Sequence, residues 1–249
     1  MRILVTGHTG TVGQFFLSRY EQEYDVVGYS LSEGQDLLDV ASLQKAMAGC
    51  DQVVHLAAIP KPMEGKTIDD YVQQNVQATL NVLNAAVEVG VKRVVFTSST
   101  TIYGIEKGIP FATPIRENQP FVSQYLSAES LSCRDVDLSY HMSKVMAEQL
   151  LAWFGLNKKI QTVALRIGPV QKVFLGTSVS ADNAAQAIHK ALQSEKEFWY
   201  EPFSIVDAEV AHISIDKAKD LLGYQPTPTD YSESEIRSQL DAKTELLAS

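Results

Sequence analysis

Short apolar runs alternate along this chain with longer segments of helical period, and the two recur in turn from the first residues onward. Ile3-Leu4-Val5 reads as a buried strand and residues 11–23 as the helix that follows it. Asp25-Val26-Val27-Gly28-Tyr29 and Gln52-Val53-Val54-His55-Leu56 read as the next strands. A helical stretch from Thr67 to Val89 stops at Gly90, the residue type expected just past a helix C-terminus. Lys92 to Thr97 predicts a strand, 138–154 a helix with Gly155 as its stop, and Ile160 to Leu165 another strand. Beyond it the alternation loosens into a helix near 180–194, strand-like 198–200 and 203–206, a short helix at 214–222 and a charged, helical tail from Tyr231. Continuous apolar strands separated by helices predict βαβ units, and so an α/β fold with a Rossmann-type doubly wound parallel sheet.

Composition narrows the class. At 249 residues the chain builds one large core, and with Cys50 and Cys133 as its two cysteines it is no disulfide-built scaffold. No apolar run reaches the length of a transmembrane helix, and Met1 leads straight into the first strand, so neither a membrane anchor nor a signal peptide is expected. A formal charge of −9 offers no general attraction to nucleic-acid phosphates or anionic lipid. The expectation is a cytoplasmic protein acting on a small molecule. Scattered histidines and two distant cysteines suggest no metal site.

Thr6-Gly7-His8-Thr9-Gly10-Thr11-Val12-Gly13 places glycines at G-x-x-G-x-x-G between the first strand and the first helix. Glycine allows a tight turn and close approach of backbone to a pyrophosphate, and the helix N-terminus offers free N–H groups. With this spacing, other segments fall into line. They are Leu38-Asp39-Val40, His55-Leu56-Ala57-Ala58, Asn75-Val76-Gln77-Ala78-Thr79-Leu80-Asn81 and Thr97-Ser98-Ser99-Thr100-Thr101-Ile102-Tyr103-Gly104. Tyr140-His141-Met142-Ser143-Lys144, Leu165-Arg166-Ile167-Gly168-Pro169-Val170 and the stretch from Asp216 to Pro226 follow in order. Together they resemble the NAD-dependent epimerase/dehydratase family of extended short-chain dehydrogenase/reductases over nearly the whole chain. The resemblance implies a dinucleotide-binding unit over 1–165 and a small substrate-binding region over 166–249 that does not fold independently. It implies cofactor contacts from Gly7, Gly10, Thr11, Val12, Gly13, Ser30, Asp39, Val40, Leu56, Ala57, Ala58, Asn75, Tyr140, Lys144 and Pro169, and a homodimer as the assembly.

Tyr140 and Lys144 lie four residues apart and share one helix face. A free tyrosine ionises at about pH 10, and a nearby ammonium favours its phenolate. Tyr140 can then take a proton from a hydroxyl, or give one to a carbonyl, while hydride moves to or from nicotinamide. Ser99, at a strand end, can hydrogen-bond the same oxygen, with Thr100 as the alternative because register alone does not choose between them. Asn75 steadies the nicotinamide end or is a satisfied structural amide. His8 reads as a loop residue and His55 as a buried, hydrogen-bonded histidine rather than a catalyst.

Departures from the family pattern refine this. Thr100 and Thr101 stand where the family's dehydratases carry Asp-Glu, so sugar dehydration is not expected. About ten residues separate Val170 from the helix near Ser180, which argues against a nucleotide-diphosphate sugar. Compact uronate dehydrogenases share that shortening. The arginine expected to hold a uronate carboxylate is not evident, and Lys172 is the nearest cation. About forty residues separate Ser99 from Tyr140, more than the family norm. The surplus predicts an insertion over 121–137 that acts as a lid over the pocket, with Phe121, Tyr125 and Leu126 covering it. At the end of the second strand Ser30 stands where an acid usually binds the ribose, and no Arg or Lys occurs between Arg19 and Lys45. That favours NAD over NADP without excluding either. The leading expectation is an oxidoreductase acting on a secondary alcohol or carbonyl of a small sugar. The alternatives are an epimerase using bound NAD, and a dinucleotide-sensing regulator that has lost catalysis.

Overall fold

The computed structural model describes residues 1–104, 114–124, 135–170, 177–207 and 213–227. Strands β1 (Arg2–Thr6), β2 (Asp25–Tyr29), β3 (Gln52–His55), β4 (Arg93–Ser99), β5 (Gln161–Ile167) and β6 (Trp199–Ile205) form one sheet. All pairs are parallel and the order is β2-β1-β3-β4-β5-β6. The helices are α1 (Thr11–Tyr20), α2 (Val40–Met47), α3 (Ile68–Tyr71), α4 (Ala78–Glu88), α5 (Asp135–Leu156), α6 (Ala181–Gln193) and α7 (Asp216–Leu222). Successive strand residues point to opposite faces, which is why the strands read as unbroken apolar runs. Ile3, Val5, Val95, Val163 and Leu165 pack beneath Phe16 of α1, Ala184, Ile188 and Leu192 of α6, and Ala218 of α7. Leu4, Val53, Val94, Phe96 and Ala164 pack on the other side with Leu43 and Met47 of α2, Val82 and Ala86 of α4, and Leu151 and Phe154 of α5. The fold is the doubly wound α/β sheet that the alternation predicts.

Several elements differ from the sequence expectation. The helix expected over 67–89 is α3, then a π-helical segment Val72–Gln77, then α4. Gly155 does not end its helix, which runs on to Leu156. A β-carbon there would stand 2.6 Å from the Tyr200 nitrogen and 2.7 Å from Thr162 Oγ1, so this glycine serves close packing against β6 rather than capping. The strand-like pieces at 198–200 and 203–206 are one edge strand, bulged at Tyr200, whose φ is +72°. The expected division between residues 165 and 166 falls inside β5, and β6 continues the same sheet. The tail from Tyr231, Cys133, Lys172 and most of the expected 121–137 insertion, including Tyr125 and Leu126, lie outside the described residues. Among the described residues, no helix is long and apolar enough to cross a membrane.

Candidate active site

From β1 the chain passes to β2 on one side and then to β3 on the other. Such a reversal opens a crevice at the carboxyl ends of the strands, where ligands bind in sheets of this kind. A cleft of about 580 Å³ lies there. Gly7, Gly10, Thr11, Val12 and Gly13 line it from the turn after β1, Tyr29 and Ser30 from the end of β2, and Leu56, Ala57, Ala58 and Ile59 from the segment after β3. The glycines fill a steric need. A β-carbon on Gly7 would meet the Ala57 nitrogen at 2.7 Å, and one on Gly13 would meet the His8 carbonyl oxygen at 2.6 Å. Gly7 also has φ +69°, a region that favours glycine. α1 opens at Gly10 with no side-chain cap, so its first-turn N–H groups face no side-chain acceptor. Free amides at a helix N-terminus suit an anion, and these residues fit a dinucleotide diphosphate.

At the β2 end, Ser30 is buried in a cluster of hydroxyls: Thr9 Oγ1 lies 2.6 Å from Ser30 Oγ and 2.9 Å from Ser32 Oγ. The Ser30 amide donates to Gln35 Oε1 at 2.7 Å. His8 folds back over Gly28, with Nε2 3.3 Å from Glu33 Oε2. Asp36 and Leu37 line the cleft, whereas Asp39 and Val40 are not among its lining residues. Asp39 is instead the N-cap of α2, accepting from the Ser42 amide at 3.1 Å and from Ser42 Oγ at 2.6 Å. Val40 is the exposed first residue of that helix. Of the acidic segment expected on the adenine side, Asp36 and Leu37 therefore line the cleft and Asp39 and Val40 do not. Pro169 follows β5 outside the cleft lining, its carbonyl accepting from the Val179 amide at 3.2 Å.

Ser99 is the last residue of β4, and Tyr140 and Lys144 stand one turn apart on α5, all three buried. Lys144 Nζ donates to the carbonyl of Thr97 at 3.1 Å and sits 5.1 Å from the centre of the Phe96 ring, which joins α5 to the end of β4. Tyr140 packs with Ile59, itself part of the cleft wall, and edge-on against Tyr71. Ser99 Oγ accepts from the Thr101 amide at 3.2 Å and from Thr101 Oγ1 at 3.0 Å, while Thr100 opens the tight turn beyond it. Burial pushes the Lys144 ammonium down to about 8, against an opposing pull from Glu148.

Asn75 lies in the π-helical segment and is buried. It accepts from the Ile59 amide at 2.7 Å and donates to Ser143 Oγ at 2.9 Å, and Ser143 in turn donates to the Tyr140 carbonyl. Asn75 therefore holds α5 to the cleft wall and is not itself in the cleft lining. A π-bulge at such a position is a recurrent feature of functional sites. His55 is buried between Thr6 Oγ1 at 2.7 Å and Thr79 Oγ1 at 3.0 Å. Burial, aided by Lys144, holds it near a pKa of about 3, so it is a neutral structural imidazole.

One group escaped the sequence reading. Glu148, fully buried one turn beyond Lys144, accepts from Ser98 Oγ at 2.5 Å, from Arg166 Nε and Nη2, and from the Tyr200 hydroxyl at 2.9 Å. Arg166 also donates to Tyr103 OH and to the Glu117 carbonyl, each at 2.9 Å, beneath the ring of Phe121. Phe121, expected in a lid, thus packs on this arginine. The available signal was the stripe Tyr140, Lys144, Glu148 at a spacing of four.

A nucleotide cradle at a topological switch point, with a tyrosine–lysine pair on a helix beside it, defines a dinucleotide-binding Rossmann-type protein. The model of the NAD dependent epimerase/dehydratase family matches residues 3–197, and the chain belongs to that family. It is 32% identical to cinnamoyl-CoA reductase 1 of Oryza sativa subsp. japonica over 61% of this chain, but spans only 46% of that protein's length. It is 27% identical to the NAD-dependent glucose-6-phosphate dehydrogenase of Haloferax volcanii over 90% of this chain and 92% of that one. The fold is similar to that of UDP-glucuronic acid 4-epimerase from Bacillus cereus in complex with NAD, with a TM-score of 0.73 at 22% identity. That match covers 96% of this chain and 99% of the epimerase.

Proposed function

We propose that this protein is an NAD-dependent oxidoreductase that interconverts a secondary alcohol and a carbonyl on a small sugar or sugar derivative. The observation that carries this reading is that Lys144, one turn from Tyr140 on α5, is tied to the carboxyl end of β4 through the Thr97 carbonyl, two residues before Ser99, with Tyr140 packed on Ile59, a wall residue of the glycine-turn cleft. Gly7, Gly10, Thr11, Val12 and Gly13 hold the diphosphate, Ser30 meets the adenosine ribose, and Asp36, Leu37, Ala57 and Ala58 border the adenine. When bound, the nicotinamide supplies hydride acceptance and return. Tyr140 removes the proton from the substrate hydroxyl, or restores it to the carbonyl. Ser99 hydrogen-bonds that oxygen, and Lys144 places a positive charge beside the phenol. The neutral hydroxyl cluster at Ser30, with Glu33 nearby and no guanidinium in the cleft lining among the described residues, favours NAD over NADP. A sugar as substrate is supported by the match along nearly the whole of the Haloferax volcanii dehydrogenase, and a small one by the few residues between Val170 and α6.

The test is a panel of free sugars, sugar phosphates, uronates and nucleotide sugars, read by the near-ultraviolet absorbance of reduced nicotinamide and by product chromatography. Stoichiometric cofactor reduction with a small sugar is the expected result. Interconversion of two sugar stereoisomers without net reduction would make the protein an epimerase. Dinucleotide binding without turnover on any member of the panel would make it a regulator.

A further inference from the structure

We infer that Lys66 is the cation that closes on the dinucleotide's diphosphate from the β3–α3 side of the cleft, an inference that rests on the dinucleotide reading above. Lys66 lines the same cleft as the glycine turn and is the one lysine or arginine in its lining among the described residues. Asp36 and Asp70 line it too. A diphosphate entering a cleft that carries two carboxylates meets repulsion that one ammonium can offset.

The one ion pair that Lys66 makes among the described residues is readily exchanged for another. Lys66 Nζ lies 3.2 Å from Asp70 Oδ1, and both side chains are more than a third exposed, so this pair is weak. Asp70 does not depend on it. Its other oxygen accepts from the Thr67 amide at 2.9 Å and from Thr67 Oγ1 at 3.0 Å, within the capping box that starts α3. When the ammonium leaves for a phosphate, a charge-assisted bond replaces the ion pair and the carboxylate keeps its hydrogen bonds. Lysine suits the task, being a point charge on a flexible stem.

The loop that carries Lys66 is anchored at its base and closed by a turn at its tip. The Met63 amide donates to Tyr71 OH at 2.9 Å, and that hydroxyl donates to the Lys61 carbonyl at 3.0 Å. Tyr71 is buried with its ring centre 6.2 Å from that of Tyr140. Nearer the tip, Gly65 has φ +78° and open space around it, and the Lys66 amide closes a turn onto the Met63 carbonyl. The segment therefore sets Lys66 at the cleft while its root packs on the candidate general acid–base.

Calorimetric titration of the full chain with ADP and with adenosine, at low and high salt, tests this for the wild type, Lys66→Met and Lys66→Arg. ADP affinity should fall about tenfold in Lys66→Met and recover largely in Lys66→Arg, with adenosine affinity unchanged. The salt dependence of ADP binding should be shallower in Lys66→Met. Equal ADP affinity in wild type and Lys66→Met overturns the inference and leaves the dinucleotide reading standing. An equal loss for adenosine overturns it as well, by making Lys66 a support of the loop only. A wild type that binds neither ADP nor adenosine overturns both.

Discussion

Replacing Lys144 by methionine should stabilise the fold at neutral pH while removing turnover. Lys144 is 4% exposed, and burial lowers its ammonium from an ordinary 10.5 to about 8, with Glu148 compensating only in part. Below about pH 8 the lysine is protonated folded and unfolded alike, so the folded state bears the full cost of the buried charge. Between about 8 and 10.5 the unfolded chain binds the extra proton, so stability rises with pH, and above that window the cost is gone. At about 1.4 kcal/mol per pH unit the cost is about 3 kcal/mol. Methionine keeps the unbranched stem and its packing on Phe96 but loses the hydrogen bond to the Thr97 carbonyl, worth about 1 kcal/mol. With a further loss of up to about 1 kcal/mol for the cation–π contact, the net is a gain of about 1–2 kcal/mol at pH 7. It becomes a small loss at pH 10.5. Urea unfolding of both proteins at the two pH values measures this, because titrating groups that do not interact with Lys144 cancel in the difference. A variant less stable than wild type by the same amount at both pH values would refute the argument that Lys144 is held charged against its environment.

Tyr140→Phe should abolish turnover and leave dinucleotide affinity within about twofold, since only the ionisable oxygen is lost; a near-normal rate would remove Tyr140 from proton transfer. Ser30→Asp should weaken NADP binding far more than NAD binding in direct titrations, by setting a carboxylate among Thr9, Ser32 and Gln35, and equal effects would displace Ser30 from the ribose. Glu148→Gln should cost about 3–5 kcal/mol in urea unfolding, because it strands the buried Arg166 guanidinium, while Tyr200→Phe should cost only about 1 kcal/mol. Similar losses from the two substitutions would mean that the carboxylate's charge is not what Arg166 requires.

The strands and the glycine turn were legible because their patterns are local. A doubly buried strand reads as an unbroken apolar run, and a cradle closed to any β-carbon reads as glycine. The placing of Tyr140 and Lys144 one turn apart on α5 was legible for the same reason, through a four-residue spacing. What escaped depends on contacts or backbone geometry that residue type alone does not show. Gly155 looks like a helix stop, yet its missing side chain answers to Tyr200 and Thr162. Asp39 looks like a ligand-binding acid, yet Ser42, three residues on, makes it a helix cap, and Leu43 and Met47 then carry α2 into the core. The π-helical turn around Asn75 inserts into a helix without disturbing the apolar stripe on either side, so periodicity passes over it. Glu148 reads as one more polar residue of α5 until β5 and β6 bring Arg166 and Tyr200 against it.

That last group bears on how the site works. Three formal charges lie buried beside one another: Lys144, Glu148 and Arg166. If Glu148 neutralised Lys144, the positive field beside Tyr140 would vanish and the phenolate would lose its support. Arg166 prevents this by engaging Glu148 through both Nε and Nη2, and Ser98 and Tyr200 occupy what remains of the carboxylate. Glu148 is thus spent mainly on Arg166, and the bond that Lys144 makes is to a backbone carbonyl of β4. One positive charge is left over in the triad, one helical turn from Tyr140, the residue proposed to shed a proton. The same contacts fix geometry, since Thr97 and Ser98 on the strand ending at Ser99 are each tied to α5, one through Lys144 and the other through Glu148. Strand end and helix are therefore tied together before any ligand arrives, which would preorganise Ser99 and Tyr140 for the proposed proton transfer at one substrate oxygen.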